Sequence, residues 1–266
     1  MSSFLGHRRK SHRLAAAGAV TLPEPIHFFQ LDNITTGLDD LGTGGTGSPW
    51  ARLNNTGAST DTNADPSGAG DAVLFLNSVD YINRSDVAWD GARDELTMTC
   101  WYNMSSINTS ANYLVSWRGA NGTAGRLTQM QVANSIQNYL GGAMFDDVNS
   151  ELMFLNDPDI NNVASQWYFG AVTFKGGVGK IYRATQGTNT LDELESETNA
   201  GLVEFTPDTM PFALGVQSWV KTNSSSRHNG NLWSVGIWDE ELSVEQLQEI
   251  YDKQEVGDVY ADFTWT

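Results

Sequence analysis

Cysteine is almost absent from this sequence, because Cys100 is the only one among 266 residues. A single cysteine cannot form an intramolecular disulfide, so the fold does not depend on an oxidising compartment. Cys100 lies in an apolar stretch, where we expect a buried thiol that packs as a small apolar group and not a reactive nucleophile. No run of about 18 apolar residues occurs, which argues against a membrane-crossing helix.

Basic residues and proline are also scarce. Lys and Arg number 15 against 32 Asp and Glu, which gives a formal net charge of −17. A surface with this much negative charge repels phosphate backbones and anionic lipids. We therefore expect neither nucleic acid nor a membrane as partner. Only 7 prolines occur beside 26 glycines, a composition that suits many short strands joined by turns.

The amino terminus differs from the rest of the chain. Four of the basic residues fall in residues 7–13, and an alanine-rich apolar run follows. Three interpretations are open: a secretory signal, a docking arm, or a tail that packs by chance. Because the apolar run is short, we favour a docking arm over residues 1–25 that contacts an acidic surface of a neighbouring subunit. Its contact residues would be Arg8, Arg9, Lys10 and Arg13.

Residues 26–266 are predicted to form one all-β domain. In residues 96–102 (LTMTCWY), apolar side chains alternate with period 2, the pattern of a half-buried strand. Residues 192–197 (DELESE) lack that alternation and are predicted to be a solvated loop. About a dozen short strands favour two packed antiparallel sheets. The predicted strands are 26–31, 72–76, 81–82, 96–102, 113–117, 127–132, 139–145, 167–174, 180–182, 212–214, 232–238 and 259–265.

One helix is predicted, at about residues 243–253. Ser243 and Gln246 have the spacing of a capping box, and Leu242 and Leu247 that of a hydrophobic staple. Apolar residues follow at helical spacing, so one face of the helix packs on the sandwich.

Five segments together resemble the laminin-G-like jelly-roll family of the concanavalin-A-like lectin/glucanase superfamily. The resemblance implies a two-sheet antiparallel jelly-roll sandwich. The segments are 70–82 (GDAVLFLNSVDYI), 96–103 (LTMTCWYN), 166–176 (QWYFGAVTFKG), 230–238 (GNLWSVGIW) and 242–251 (LSVEQLQEIY).

The resemblance also raises the question of a structural calcium ion. Family members hold it with oxygen ligands from loops, and Asp32, Asp71 and Asp80 are the candidates in this chain. The family's acidic residue early in the late strand is replaced here by Leu232 and Trp233. The alternative is that these aspartates cap turns through their own backbone.

Catalytic motifs are missing. The glucanase pattern Glu-x-Asp-x-x-Glu does not occur, and the four histidines form no pair at metal-ligand spacing. We therefore predict a protein that is not an enzyme. Aromatic faces can stack on sugar rings, and Trp50, Trp117 and Trp219 are the predicted glycan contacts. Trp101, Trp167 and Trp238 lie in strand patterns and are predicted to be core or sheet-face residues.

Three functions remain open. A basic arm on an acidic jelly roll resembles accessory virion proteins of tailed phages, such as capsid-decoration or fibre-associated subunits. This favours a homo-oligomer within a virion or other extracellular particle. The alternative is a carbohydrate-binding lectin or adhesin module, and a glycoside hydrolase is the least favoured hypothesis.

Overall fold

The structure is a β-sandwich. A computed structural model of the chain describes residues 20–31, 40–43, 51–54, 62–75, 80–84, 93–105, 112–118, 126–134, 137–145, 152–156, 162–202, 212–216 and 227–266. In chain order its strands are β1 (His27–Phe29), β2 (Ala51–Asn54), β3 (Thr62–Ala64), β4 (Asp71–Phe75), β5 (Asp80–Arg84), β6 (Glu95–Met104), β7 (Asn112–Arg118), β8 (Arg126–Asn134), β9 (Gln137–Phe145), β10 (Leu152–Asn156), β11 (Trp167–Lys175), β12 (Val178–Thr185), β13 (Asp192–Thr198), β14 (Phe212–Leu214) and β15 (Gly230–Trp238).

These strands form two antiparallel sheets, which confirms the predicted fold class. The eight-stranded sheet has the order β13-β12-β11-β6-β15-β4-β3, and β1 pairs with the second half of β15. The seven-stranded sheet has the order β10-β9-β8-β7-β14-β5-β2. Among the described residues, no helix has the length and apolarity needed to cross a bilayer.

The main core lies between the sheets and follows the alternation read from residues 96–102. Leu96, Met98 and Cys100 of β6 are fully buried in it, together with apolar residues of the opposite sheet. Burial raises the pKa of the Cys100 thiol far above its ordinary value. The prediction that Cys100 packs as an apolar group is therefore confirmed.

A second apolar layer covers the outer face of the eight-stranded sheet. The helix α1 (Val244–Glu255) packs its buried residues Leu247, Ile250 and Tyr251 against this face. There the Trp101 ring stacks on Tyr251 with ring centroids 5.4 Å apart. Trp167 and Trp238 belong to the same layer, so the prediction of core or sheet-face positions for these three tryptophans is confirmed.

The start of α1 has the predicted cap. The Ser243 side chain accepts a hydrogen bond from the Gln246 backbone, and the Gln246 side chain accepts one from Ser243 N. Leu242 and Leu247 are both buried, as a hydrophobic staple requires.

A buried polar chain joins this helix to the sheet. The indole Nε1 of Trp101 donates to Gln254 Oε1 at 3.0 Å, and Gln254 Nε2 donates to Ser234 Oγ. Ser234 has φ +51° at the point where the pairing of β15 with β6 shifts register. The bulge turns Ser234 towards the helix, so the side chain of Gln254 meets partners at both ends of its amide.

Two predicted segments adopt a different structure. Residues 259–265 are not a strand, because Tyr260–Asp262 form a 3-10 helix and Trp265 makes an isolated bridge to Leu22. Residues 192–197 are not a loop, because they form most of β13, the edge strand of the eight-stranded sheet. An edge strand is stabilised by pairing on one side and tolerates charged side chains, so its charge pattern was misleading.

Candidate functional site

The outer face of the seven-stranded sheet carries a group of polar side chains. Along β8, Met130 and Val132 point into the core, so Gln129 and Gln131 point outward. Gln129 lies opposite Ala143, which lies opposite Phe154. Gln131 likewise lies opposite Gly141, which lies opposite Asn156.

The two rows flank the small residues Gly141 and Ala143 of β9, which are buried beneath them. Asn156 Oδ1 and Gln131 Cγ lie 2.9 and 3.6 Å from the position that a Cβ atom on Gly141 would take, so the two side chains close over this glycine. We call Gln129, Gln131, Phe154 and Asn156 the amide platform.

One acceptor of the amide platform has no hydrogen-bond partner among the described residues. Gln129 Nε2 donates to Gln131 Oε1 at 3.3 Å. Gln129 is only 3% exposed, and its Oε1 is buried without a hydrogen-bond partner among the described residues. Gln131 and Asn156 are half-buried, and the Phe154 ring beside them is 46% exposed. An exposed aromatic face beside the half-buried amides of Gln131 and Asn156 suits a polar ligand that also has apolar ring surface.

The other half of this sheet face is occupied by the chain itself. The Arg227 guanidinium lies over the Tyr81 ring, 5.1 Å from its centroid, and Arg227 is only 1% exposed. A bridge between Val216 and Arg227 holds this segment beside Ala213 of β14. On the β8–β10 half of this face, Phe154 is exposed, and Gln131 and Asn156 are half-buried.

His228 is fully buried next to Arg227. Its Nε2 contacts two carbonyl oxygens, Asn103 O at 3.2 Å and Asn231 O at 3.3 Å, so Nε2 carries the proton. Burial lowers the pKa of His228 to about 4, although both carbonyls favour the charged form. The side chain is therefore a neutral imidazole and not a site for an anion.

A separate pocket of about 230 Å³ lies at the turn between β3 and β4. Asp65, Asp71 and Trp233 are among its lining residues. The Asp65 carboxylate accepts a hydrogen bond from Ser67 Oγ at 2.7 Å, so part of its capacity is used within the turn. Across the described part of the chain, no three His, Cys, Asp or Glu side chains converge as metal ligands.

The predicted metal ligands are distributed over both sheets. Asp71 is the first residue of β4 in the eight-stranded sheet, and Asp80 is the first residue of β5 in the seven-stranded sheet. Asp32 lies outside the described residues. A calcium ion bound by this set stays a prediction.

The glycan-contact prediction was wrong for Trp117. This side chain is 0% exposed and packs edge-on against Phe212, with ring centroids 5.5 Å apart. It faces the core on the same side of β7 as Val115, two residues before it, and lies opposite Phe212 of β14. Trp50, Trp219 and the four basic arm residues lie outside the described residues.

The sequence contained a signal for the amide platform that we did not use. Residues 129–132 (QMQV) alternate amide and apolar side chains, which is the pattern of a strand with one polar face. The partner residues on β10 could not be found this way, because the strand at residues 152–156 was not predicted at all.

Comparison with known proteins agrees with this geometry. The laminin-G-type profile of the concanavalin A-like lectin/glucanases superfamily matches residues 76–248, more than half of the chain. The chain belongs to this superfamily. No curated protein sequence matches it significantly.

Several solved structures have a similar fold. Domain 4 of AbnA, a GH43 extracellular arabinanase from Geobacillus stearothermophilus in complex with arabinotriose, matches with a TM-score of 0.57 at 16% identity. That match covers 85% of this chain and 98% of that domain. The binding domain of botulinum neurotoxin serotype D matches with a TM-score of 0.60 at 15% identity, covering 87% of this chain and 51% of that one.

An arabinofuranosidase complexed with arabinofuranosyl-alpha-1,2-xylobiose is also similar. Its TM-score is 0.56 at 11% identity, and the match covers 89% of this chain and 48% of that enzyme. This chain thus spans about half the length of the enzyme and of the toxin domain. Identities this low show a shared fold and no more.

Proposed function

We propose that this chain is a non-enzymatic carbohydrate-binding module whose ligand lies on the amide platform. The observation that carries the proposal is the Phe154 ring, which is 46% exposed beside the half-buried amides of Gln131 and Asn156. A sugar ring has an apolar face that stacks on an aromatic ring and hydroxyl groups that pair with amides. The amide platform offers groups for both kinds of contact.

The comparison with domain 4 of AbnA supports the proposal. Nearly all of that domain aligns with this chain, and its structure was solved in complex with arabinotriose. A sandwich of this size and shape can therefore carry a sugar site without further domains around it. The identity of 16% leaves the ligand of this chain to be determined by its own side chains.

The absence of acids on this face favours binding without catalysis. Glycosidases need two carboxyl groups about 5–10 Å apart across the sugar bond. The strands β8, β9 and β10 contain no Asp or Glu. The described carboxylate that contacts the amide platform is that of Glu195 on β13, which accepts a hydrogen bond from Asn156 N, and one carboxylate does not form the pair that hydrolysis needs.

Replacing Phe154 with alanine should weaken glycan binding at least tenfold, because a stacked ring contributes about 1.5 kcal/mol or more. Isothermal titration calorimetry with a panel of oligosaccharides measures this effect. Val163→Ala is the matched control, since Val163 is also exposed (61%) but belongs to no strand of the seven-stranded sheet. Equal affinities of the Phe154 variant and the parent protein would count against the site.

We propose a second function, which is a structural role in an assembly such as a virion. This role is compatible with a carbohydrate site on the same chain but does not require one. The specific observation is the separation of charge between a basic segment at residues 7–13 and a body of net negative charge. Exposed acids on β13, among them Glu193 and Glu197, offer a surface of the opposite sign. Deletion of residues 1–22 should then abolish incorporation into the particle while the body stays folded; unchanged incorporation would remove the docking role.

A further inference from the structure

We infer that the pocket at the turn between β3 and β4 binds a primary ammonium ion, which is a protonated amine on a short carbon chain. We call this site the turn pocket, and its lining residues include Asp65, Ser67, Asp71, Trp233, Val256 and Val259. Its volume of about 230 Å³ is many times the space that one water molecule needs. The turn pocket belongs to the eight-stranded sheet, so it is a second site, separate from the amide platform.

The turn pocket carries negative charge that the chain does not neutralise. Asp65 and Asp71 both line it, and none of its described lining residues is Lys, Arg or His. Neither carboxylate forms an ion pair in the described part of the chain. Lys253, near the end of α1, pairs instead with Glu249 at 3.9 Å and with Asp258 at 3.8 Å. Two uncompensated acids in one concave site attract a cation.

Two buried side chains of the turn pocket have polar atoms that the chain leaves unpaired. Asp65 is 5% exposed, and its Oδ1 accepts a hydrogen bond from Ser67 Oγ at 2.7 Å. Its Oδ2 has no hydrogen-bond partner among the described residues. Trp233 is 1% exposed, and no described residue accepts a hydrogen bond from its indole N–H. Because buried polar groups in folded proteins are nearly always paired, these atoms indicate a polar occupant of the pocket.

The turn fixes the Asp65 carboxylate before a ligand arrives. Asp65 N donates to Gly70 O, and Gly68 N donates to Asp65 O, both at 3.0 Å. A Cβ atom on Gly70 would lie 2.6 Å from Asp65 Oδ2, so glycine at this position makes room for the carboxylate. Gly70 is itself exposed, which places Oδ2 beside the open side of the turn. A carboxylate held in this way loses little conformational entropy when it binds an ion.

The donors of a primary ammonium ion match these acceptors. Its three N–H groups can pair with Asp65 Oδ2 and with the carboxylate of Asp71, as charge-assisted hydrogen bonds. Val256 and Val259 supply apolar surface for the carbon chain that the ammonium group carries. A calcium ion takes about six to eight oxygen ligands. Among the described residues, no third acidic side chain converges with these two.

Two further features of the wall favour a cation. Val256 is the C-cap of α1, so the negative end of the helix dipole lies at the turn pocket. Trp233 places an indole ring in the same wall, and tryptophan rings attract ammonium ions. Both contributions have the same sign as that of the two carboxylates.

The test is an NMR titration of the ¹⁵N-labelled full chain with n-butylammonium chloride at physiological ionic strength. It follows the Trp233 indole signal, which is identified by its loss in Trp233→Phe. We expect a saturable shift with a dissociation constant in the millimolar range. Tetramethylammonium has the same charge but no N–H donor, and it should bind about tenfold more weakly or worse. The uncharged 1-butanol should give no saturable shift.

Variants of the two acids locate the ion. Asp65→Asn, checked for folding by thermal melting, should weaken n-butylammonium binding about tenfold or more. Asp71→Asn should weaken it about threefold or more, and this exposed position is not required for folding. Asp192→Asn is the matched control, because Asp192 is also an exposed first residue of a strand in the same sheet but does not line the pocket. Its affinity should equal that of the parent protein.

Four results would overturn the inference. They are the absence of a saturable shift with n-butylammonium, equal affinities for n-butylammonium and tetramethylammonium, and binding that neither Asp65→Asn nor Asp71→Asn weakens. The fourth is a saturable shift of the Trp233 signal with calcium chloride at lower concentration than with n-butylammonium, which would identify a metal site instead. The side-chain amide signals of the amide platform should not respond to n-butylammonium, so failure here leaves the proposed function intact.

Discussion

Replacing Trp101 with alanine should lower the free energy of unfolding by about 4 kcal/mol, within the range for large aromatic residues in a core. The Trp101 ring is 0% exposed and contacts both Tyr251 of the helix and Phe169 of β11. Alanine leaves a cavity between helix and sheet, and it leaves Gln254 Oε1 buried without its donor. The two losses act at one place, which is why this variant has the largest expected effect.

Urea denaturation followed by circular dichroism measures this change. Trp101→Phe is the informative control, because it keeps most of the apolar contact with Tyr251 and loses the indole N–H. We expect it to cost about 1–3 kcal/mol, mostly from the unpaired Gln254 oxygen. A loss below about 1 kcal/mol for Trp101→Ala would show that the helix does not depend on this contact.

Acidification should destabilise the protein through His228 by up to about 3 kcal/mol. The pKa of His228 is lowered from 6.5 to about 4 in the folded chain, because burial disfavours the imidazolium. Between these two pH values the unfolded chain binds more protons, so stability falls as the pH drops from about 6.5 to about 4. A shift of this size corresponds to about 3 kcal/mol.

Carboxylates with raised pKa values act in the opposite direction, among them Glu240 and Asp252. The contribution of His228 is therefore isolated by comparison with His228→Gln, which cannot titrate but can still donate to the backbone carbonyls. Chemical denaturation at several pH values should show a steeper loss for the parent protein than for the variant. Parallel curves for the two proteins would contradict a buried neutral histidine.

The fold could be predicted from local patterns where these patterns have one interpretation. Period 2 in residues 96–102 and the capping box at Ser243 both describe contacts within a few residues, and the structure has both. The strand prediction for residues 259–265 failed, because alternation over so short a segment does not distinguish a strand from a turn with a 3-10 helix. The strand at residues 192–198 was predicted to be a loop. It is stabilised by pairing with β12, which is a tertiary contact that its charged composition does not indicate.

The candidate site was harder to predict, since it is defined by pairing between strands. Gln131, Gly141 and Asn156 are neighbours only through the register of β8, β9 and β10. Tryptophan content pointed instead to Trp117, which is buried in the core on the inward face of β7. The residues that a sheet brings together cannot be read from spacing along the chain when one strand of the three is not predicted.

The most direct test of the carbohydrate site is a ¹⁵N-resolved NMR titration with arabinotriose, cellotriose and maltotriose. The titration follows the side-chain amide signals of Gln129, Gln131 and Asn156. If the amide platform binds the sugar, these three signals should shift together and saturate with one dissociation constant, and the Trp233 indole signal at the pocket by β4 should stay unchanged. Shifts confined to Trp233 and the turn that contains Asp65, with the three amide signals unmoved, would contradict the account.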